Sequence, residues 1–348
     1  MKKLSYIVLI LLIFVGLKSN GQDVHFSQFM NSSFLYNPGQ TGMINGDHRA
    51  LLNYRTQWGS IAVPYKTYSF TYDTKVFKKQ TNKAQMGLGL GVYKDVAGDT
   101  EFGTTSITLT SSAILKLDDY NKLSLGLQGG MMQNSINSNM RWGNQYDGSG
   151  YNEFIPSGEE SNYNSAPTMG DFNAGIVWNY GTSHETVMDN ELFSMQAGLA
   201  VSHLSRQRIE FSDFKEKIYN KFTFHGKSFV GIKNSPYAAV PGFLWQKQGP
   251  SSELLFGSYF RTKLKTESRY TGIFKESALA VGIFYRMGDA FVPKLSLEMM
   301  NFILGVSYDY TVSGLGDPTG GNGGLELSLQ YVVPVEMRYG KGTAPKMY

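Results

Sequence analysis

The chain has 348 residues, of which 41% are hydrophobic and 14% aromatic, with 39 glycines and no cysteine, so disulfides play no part in its stability. Its formal charge of +4 falls to +1 when Lys2, Lys3 and Lys18 of the predicted leader are removed, which leaves 29 basic and 28 acidic residues. This near-neutral chain lacks the excess of basic residues with which proteins bind nucleic acid. We therefore expect no nucleic-acid partner.

The first 21 residues have the pattern of a cleaved signal peptide. Lys2 and Lys3 precede an apolar run over residues 7–15, and small residues, Ser19 and Gly21, stand at the cleavage positions. The run is shorter than the roughly 20 residues that a membrane-spanning helix needs, which makes a permanent anchor the weaker alternative. We predict export, with cleavage before Gln22.

Residues 22–47 form a second predicted unit, before the regular part of the chain begins. They lack sustained alternation and contain the turn-forming sequence Asn37-Pro38-Gly39. We expect an ordered N-terminal segment, periplasmic or lumenal, that lies against or inside the domain that follows. Residues 334–348 are a short basic tail without a strand pattern.

Residues 48–333 contain repeated short stretches in which apolar and polar side chains alternate, as they do along a β-strand. The predicted strands cover 49–58, 65–77, 85–94, 102–115, 122–132, 169–180, 191–204, 221–232, 237–247, 253–263, 277–287, 291–300, 301–313 and 325–333. In residues 301–313 one row is apolar and ends in tyrosines, and the other is mostly small and polar. This pattern is typical of a strand between lipid and a wet lumen, with Leu304 and Val306 facing acyl chains and Ser307 facing the lumen.

The pattern predicts an all-β fold, a transmembrane antiparallel up-and-down β-barrel of about 14 strands in the cell outer membrane, in contact with its lipid. An even number of strands places both termini on one side, which we expect to be the periplasm.

The longest break in the alternation, residues 133–167, predicts an extracellular loop. It contains Arg141, Trp142, Tyr146, Tyr151 and Phe154. Arg, Trp and Tyr are enriched among interface hot spots, so these five residues are the candidate partner-binding residues. The alternative is a surface loop whose aromatic side chains pack only on their neighbours.

Catalytic and metal-binding patterns are missing from the sequence. The five histidines form no His-x-x-x-His pair and no zinc spacing, and Gly87-x-Gly89-x-Gly91 lacks the third-glycine spacing of a dinucleotide site. We predict no enzyme activity, no cofactor and no metal.

The chain resembles the PorP/SprF family of the type IX secretion system of Bacteroidota over nearly its whole mature length. The residues that carry the resemblance are Phe26-Ser27-Gln28-Phe29-Met30, Tyr36-Asn37-Pro38, Thr41-Gly42, Arg55-Thr56-Gln57-Trp58, Tyr72-Asp73, Tyr285-Arg286, Asp289-Ala290, Ser307-Tyr308-Asp309-Tyr310, Ser313-Gly314-Leu315 and Glu326-Leu327-Ser328-Leu329-Gln330-Tyr331. The resemblance implies a role in protein secretion, surface attachment or gliding motility. It implies as partners a secreted adhesin or other cargo with a type IX C-terminal domain, together with periplasmic secretion or motility components or lipoproteins.

Two functions follow from these observations, a barrel that binds or anchors a secreted adhesin and a channel for small or hydrophobic solutes. The content of the lumen separates them. A lumen filled by bulky side chains and residues 22–46 favours the binding scaffold, whereas a continuous wet path favours transport.

Overall fold

A computed structural model describes residues 23–31, 33–60, 63–77, 83–98, 101–135, 143–156, 168–181, 193–206, 208–211, 214–265, 277–314, 316 and 320–333. The predicted signal peptide and the tail over 334–348 lie outside this part of the chain. Within the described residues, no helix is long and apolar enough to cross a membrane.

Fourteen antiparallel strands form a closed barrel, and two further strands form a separate hairpin. In chain order they are β1 (His48–Gln57), β2 (Tyr65–Val76), β3 (Ala84–Ala97), β4 (Phe102–Lys116), β5 (Asn121–Ser135), β6 (Thr168–Gly181), β7 (Phe193–Ser202), β8 (Arg208–Phe211), β9 (Phe214–Lys217), β10 (Lys221–Gly231), β11 (Tyr237–Gln248), β12 (Ser251–Lys265), β13 (Ser277–Arg286), β14 (Ala290–Met299), β15 (Phe302–Thr311) and β16 (Asn322–Val333). Three short 3₁₀ turns cover Ser33–Leu35, Pro38–Gln40 and Gly143–Gln145.

The barrel confirms the predicted fold class and strand number. For each barrel strand, both predicted ends lie within three residues of the observed ends. Strands that follow each other in the chain pair with each other, except that β7 pairs with β10 across the β8–β9 hairpin, and β1 pairs with β16 to close the wall. The β8–β9 hairpin, which joins β7 to β10, was not predicted, because its two strands have only four residues each.

Alternation along each strand gives the wall an apolar outside and a polar inside. In β15, Leu304 and Val306 are 41% and 42% exposed, whereas Ser307 is 2% exposed. Asn53, Thr71 and Thr110 are likewise buried on the inner face of their strands. The outward row meets the acyl chains of the membrane, as the sequence pattern predicts.

The barrel has two ends, which we call proximal and distal. At the proximal end β1 begins and β16 ends, and at the distal end β1 ends and β16 begins. The loop between β5 and β6 and the β8–β9 hairpin both belong to the distal end, since β5 and β7 run towards it.

Residues 23–47, the lumenal segment, run through the inside of the barrel from its distal end to its proximal end. Asp23 N donates to Gln248 Oε1 at the distal end of β11, at 3.1 Å. Asp47 N donates to the carbonyl of Val333 at the proximal end of β16, at 2.8 Å.

Along the described residues, this course differs from the simple expectation that the chain starts and ends on one side of the barrel. The even strand number fixes only the start of β1 and the end of β16, and these do share the proximal end. Asp23, the first described residue, lies at the distal end instead, because the lumenal segment crosses the whole barrel before β1 begins.

Candidate functional site

The lumenal segment is bound by a carboxylate from the barrel wall. Glu326 on β16 accepts hydrogen bonds from two successive backbone amides, Ser27 N at 2.7 Å and Gln28 N at 2.9 Å. The Gln28 side chain donates to the carbonyl of Glu326 and accepts from Ser328 Oγ. Charge-assisted bonds of this kind are stronger than neutral ones, so Glu326 fixes the position of this turn.

Buried charges from several other strands meet around the same turn. Arg55 of β1 and Arg286 of β13 contact the Asp309 carboxylate at 2.8 and 3.0 Å. We call Arg55, Arg286, Lys294, Asp309 and Glu326 the charge cluster. Because taking an ion out of water costs several kcal/mol, such a cluster is stable only where its charges are paired and hydrogen-bonded.

The lumenal segment supplies polar groups that complete the charge cluster. The Arg55 guanidinium donates to the carbonyl of His25 at 2.6 Å. Ser27 Oγ donates to Asp309 at 2.7 Å and accepts from Arg286 at 2.6 Å, while its carbonyl accepts from the Lys294 ammonium. Without the segment, these buried ions would lose several of their hydrogen-bond partners. The segment therefore stabilises the ionised side chains of the wall, and these side chains hold the segment in place.

Aromatic packing holds the same part of the segment on the side of β11–β14. Phe26, Phe29 and Tyr36 belong to a buried apolar cluster inside the barrel. The wall contributes Leu244, Leu255, Tyr259, Ala280, Phe284, Ala290 and Val292 to it. The Phe29 and Phe284 rings meet edge to face, with centroids 6.2 Å apart. The lumen is therefore filled by a packed core on this side.

On the side of β3–β6 the wall is lined with glycines, and the segment lies directly on its backbone. A Cβ at Gly126 would stand 2.2 Å from the carbonyl carbon of Pro38, and one at Gly87 would stand 2.4 Å from the carbonyl oxygen of Thr41. Only glycine allows so close an approach. Asn37 extends the contact to β6 and β7, because its amide donates to the carbonyls of Ile176 and Leu199 at 3.1 Å.

A second group of charges holds the start of the segment at the distal end. His203, directly after β7, contacts Asp171 through Nδ1 at 2.9 Å and Asp23 through Nε2 at 2.6 Å. Lys221 reaches the same Asp23 carboxylate at 3.0 Å. We call Asp23, Asp171, His203 and Lys221 the distal latch.

Burial and ion pairing have opposite effects on the pKa values of His203 and Asp23 in the distal latch. Burial disfavours the imidazolium, but the hydrogen bonds that its ring donates to the Asp171 and Asp23 carboxylates raise the pKa of His203 to about 9. Burial likewise would raise the pKa of Asp23, but Lys221 and His203 hold it well below its usual value. His203 is therefore charged at neutral pH and bridges two carboxylates.

Three of the five predicted partner residues are described, and they lie apart from the lumenal segment, in the distal loop between β5 and β6. Arg141 and Trp142 fall outside the described residues. Tyr146 and Tyr151 form an isolated antiparallel bridge and are 60% and 40% exposed, and Phe154 is 86% exposed. The structure thus brings the two tyrosines together and leaves three aromatic side chains open to solvent.

Local hydrogen bonds give this part of the loop a defined shape. Asp147 accepts the backbone amides of Ser149 and Gly150, both at 2.9 Å, which lowers its pKa. The side chain of Gln145, which is buried, donates to the carbonyl of Ile155 at 2.8 Å. The aromatic side chains are therefore presented on an ordered turn.

Among the described residues there is no group of three or more histidine, cysteine or acidic side chains that could hold a metal ion. The sites around Ser27 and Asp23 were not predicted. Ser27, Arg55, Asp309 and Glu326 all belong to the motifs that carry the family resemblance, yet they are up to 299 positions apart in the chain. Only the closure of the barrel shows that they meet.

The fold and its lumen define a transmembrane β-barrel that contains its own N-terminal segment. The chain belongs to the family of type IX secretion system membrane proteins PorP/SprF, whose model matches residues 18–331. As a member, it is an outer-membrane barrel of that secretion system.

A search of the curated proteins gave no significant match. Three similar solved structures are the ferric enterobactin receptor of Pseudomonas aeruginosa (10% identity, TM-score 0.37), CdiB from Acinetobacter baumannii (9%, 0.42) and BamA from Haemophilus ducreyi lacking POTRA domains 1–3 (8%, 0.42). The matches cover 76%, 82% and 82% of this chain and 44%, 60% and 70% of those proteins. The chain thus spans less than half the length of the receptor, and these values are too low to relate it to any of the three in function.

Proposed function

We propose that this protein is a plugged scaffold of the type IX secretion system that binds or anchors a secreted cell-surface adhesin through the adhesin's C-terminal sorting domain. The observation that carries the proposal is the lumenal segment. It is fixed by the charge cluster, by aromatic packing on one side and by glycine-backed contacts on the other. A lumen so occupied favours a binding scaffold over the alternative of a channel for small or hydrophobic solutes.

The binding surface that we propose is the distal loop around Tyr146, Tyr151 and Phe154, on the extracellular side. The membrane-spanning wall is committed to lipid and the lumen to the lumenal segment, which leaves the loops for a partner. Exposed aromatic residues on an ordered turn have the composition of an interface hot spot. We infer no catalysis; the role is one of binding.

The test is co-purification of the cargo from native membranes. Deleting residues 139–160 should leave a folded barrel, because exposed loops tolerate deletion, and should release the adhesin into the medium. The triple variant Tyr146→Ala/Tyr151→Ala/Phe154→Ala keeps the loop length. It should reduce cargo yield at least tenfold if these side chains include a hot spot of about 2 kcal/mol.

The matched control is Tyr219→Ala, which removes a 60% exposed tyrosine from the distal end outside this loop. Its cargo yield should stay at the wild-type level. Wild-type yield from both loop variants would place the cargo site elsewhere.

A further inference from the structure

A groove runs along the outer wall of the barrel where β15, β16, β1, β2 and β3 lie side by side. Its volume is about 620 Å³, within the range of roughly 300–1,000 Å³ that small-molecule sites occupy. Ten of its fifteen lining residues point outward from the barrel, so the groove opens to the membrane and not to the lumen.

The floor of the groove is a continuous apolar row across neighbouring strands. Leu304 of β15 pairs with Leu329 of β16, which pairs with Leu52 of β1, and Leu52 pairs with Phe70 of β2. Such a row on the lipid-facing side of the wall is suited to hydrocarbon.

The distal boundary of the groove lies at the depth where the outer face becomes polar. Tyr54 and Tyr68 stand one step above the apolar row, with ring centroids 5.1 Å apart. Tyr68 pairs with Lys94, and Lys94 pairs with Thr105 on the outer face of β4. Tyrosine and polar side chains at one level mark the interface between acyl chains and head groups.

Two lysines lie at this boundary. Lys94 lines the groove, and Lys66 lies one outward position beyond Tyr68 on β2. Lys66 pairs with Val96, which makes Lys94 its diagonal neighbour at about 7–8 Å. Both are exposed, and among the residues that the structure describes no carboxylate lines the groove beside them. The pair therefore carries positive charge at the depth of the head groups.

We infer that this groove is a binding site for an anionic lipid, with an acyl chain along the Leu304–Leu52–Phe70 row and the head-group phosphate between Lys66 and Lys94. The charge of the two lysines selects a lipid over a transmembrane segment of another protein, since a purely apolar helix or strand would leave both ammonium groups without a counter-charge. The site is independent of the cargo surface on the distal loop.

The experiment uses the purified full-length protein in detergent, mixed with phosphatidylglycerol or with phosphatidylcholine, and counts retained lipids by native mass spectrometry. The wild type should retain phosphatidylglycerol in preference to phosphatidylcholine. Lysine near an anionic lipid surface contributes about 1 kcal/mol, so Lys66→Ala/Lys94→Ala should bind phosphatidylglycerol roughly 30-fold more weakly. The control Lys217→Ala/Lys247→Ala removes two exposed lysines from β9 and β11 and should change binding less than twofold.

A second variant tests the apolar part without changing charge. Leu304→Trp puts a larger outward side chain in the groove and should reduce retention of phosphatidylglycerol at least tenfold, while the heat-modifiable band on a gel still reports a folded barrel. Equal retention of the two lipids by the wild type would overturn the site, as would unchanged retention in either the lysine variant or Leu304→Trp. A protein subunit that co-purifies with the wild type and is lost in Leu304→Trp would assign the groove to that subunit instead.

Discussion

Arg55 shows how much a single buried side chain can contribute in this barrel. It is 1% exposed and contacts Asp309, Glu326 and the carbonyl of His25. Arg55→Met would leave the carboxylates with fewer partners. Because breaking a buried ion pair costs about 3–5 kcal/mol, we expect a loss of that size in the free energy of unfolding, measured by denaturant titration in detergent.

The control for Arg55→Met is an exposed ion pair. Lys116 and Asp119 contact each other at 2.8 Å, with side chains 50% and 78% exposed. Surface pairs contribute about 0–1 kcal/mol, so Lys116→Met should cost no more than that. Equal losses in the two variants would mean that the charge cluster is no more important than a surface pair.

His203 makes the attachment of the lumenal segment depend on pH. Its pKa is raised from an ordinary value near 6.5 to about 9, so its contribution to stability is complete below pH 6.5 and is lost as the pH rises through 9. Asp23, whose pKa is lowered, contributes above its ordinary pKa near 4 and loses its contribution in stronger acid. The contribution of His203 to the protection of residues 23–31, measured by hydrogen exchange as the difference in protection factors between the wild type and His203→Asn, should therefore be largest between about pH 4 and 6.5.

His203→Asn is the matched variant for this pH dependence. His203 has a φ of +58°, a region that asparagine tolerates better than most residues, so the backbone is not strained further. Asparagine cannot be charged. In the His203→Asn variant, the protection factors of residues 23–31 should therefore not fall between pH 6.5 and 9. A fall as large as that of the wild type would assign the effect to another group.

At the level of secondary structure, the outward row of β15 gives a prediction that depends on depth. Val306→Arg places a charge at the middle of β15 and should lower the free energy of unfolding by about 2–4 kcal/mol, whereas Tyr310→Arg, near the distal end of the same strand, should lower it by about 0–1 kcal/mol. Unfolding in lipid vesicles would measure both. Ser307→Arg is not a useful comparison, because Ser307 is 2% exposed and lies between Lys294 and Glu326 of the charge cluster.

The glycines of β5 provide a test of the contact with the lumenal segment. Gly126→Ala would place a methyl group 2.2 Å from the carbonyl carbon of Pro38. This overpacking should lower the free energy of unfolding by about 1–3 kcal/mol or displace the segment. Gly129→Ala is the control on the same strand, because its Cβ would meet only the Phe172 ring, at 3.4 Å. Comparable unfolding midpoints for the two variants would contradict the close approach.

Alternation was enough to predict the strands of the barrel, because each strand has lipid on one side and a polar interior on the other. The same reasoning places Leu304 and Ser307 on opposite faces. It could not place Ser27 beside Glu326, since that contact joins residues 299 positions apart and depends on the register of every strand between them. The filled lumen was raised as an alternative, but the path of the lumenal segment depends on glycine gaps and buried charges that have no local sequence pattern.

For the molecule as a whole, the main feature is that the lumenal segment lies where a solute would have to pass. Fourteen strands enclose a lumen wide enough for solute passage if it were empty. Here, residues 23–47 occupy it, bound to β1, β13, β15 and β16 through ions and to β5 and β6 through close backbone contact.

We therefore expect the purified wild-type protein to show no stable ion conductance in a planar lipid bilayer. Deleting residues 23–45 opens the lumen and should produce discrete conductance steps, provided that the heat-modifiable band still reports a closed barrel. The double variant Glu326→Gln/Gly126→Ala keeps the whole segment but weakens its attachment on opposite sides of the lumen, and should produce intermittent openings. Gly129→Ala controls for a mutation in β5 that faces away from the segment, and it should remain silent. Steady conductance by the wild type would favour the channel over the scaffold, because it would require a continuous wet path beside the segment.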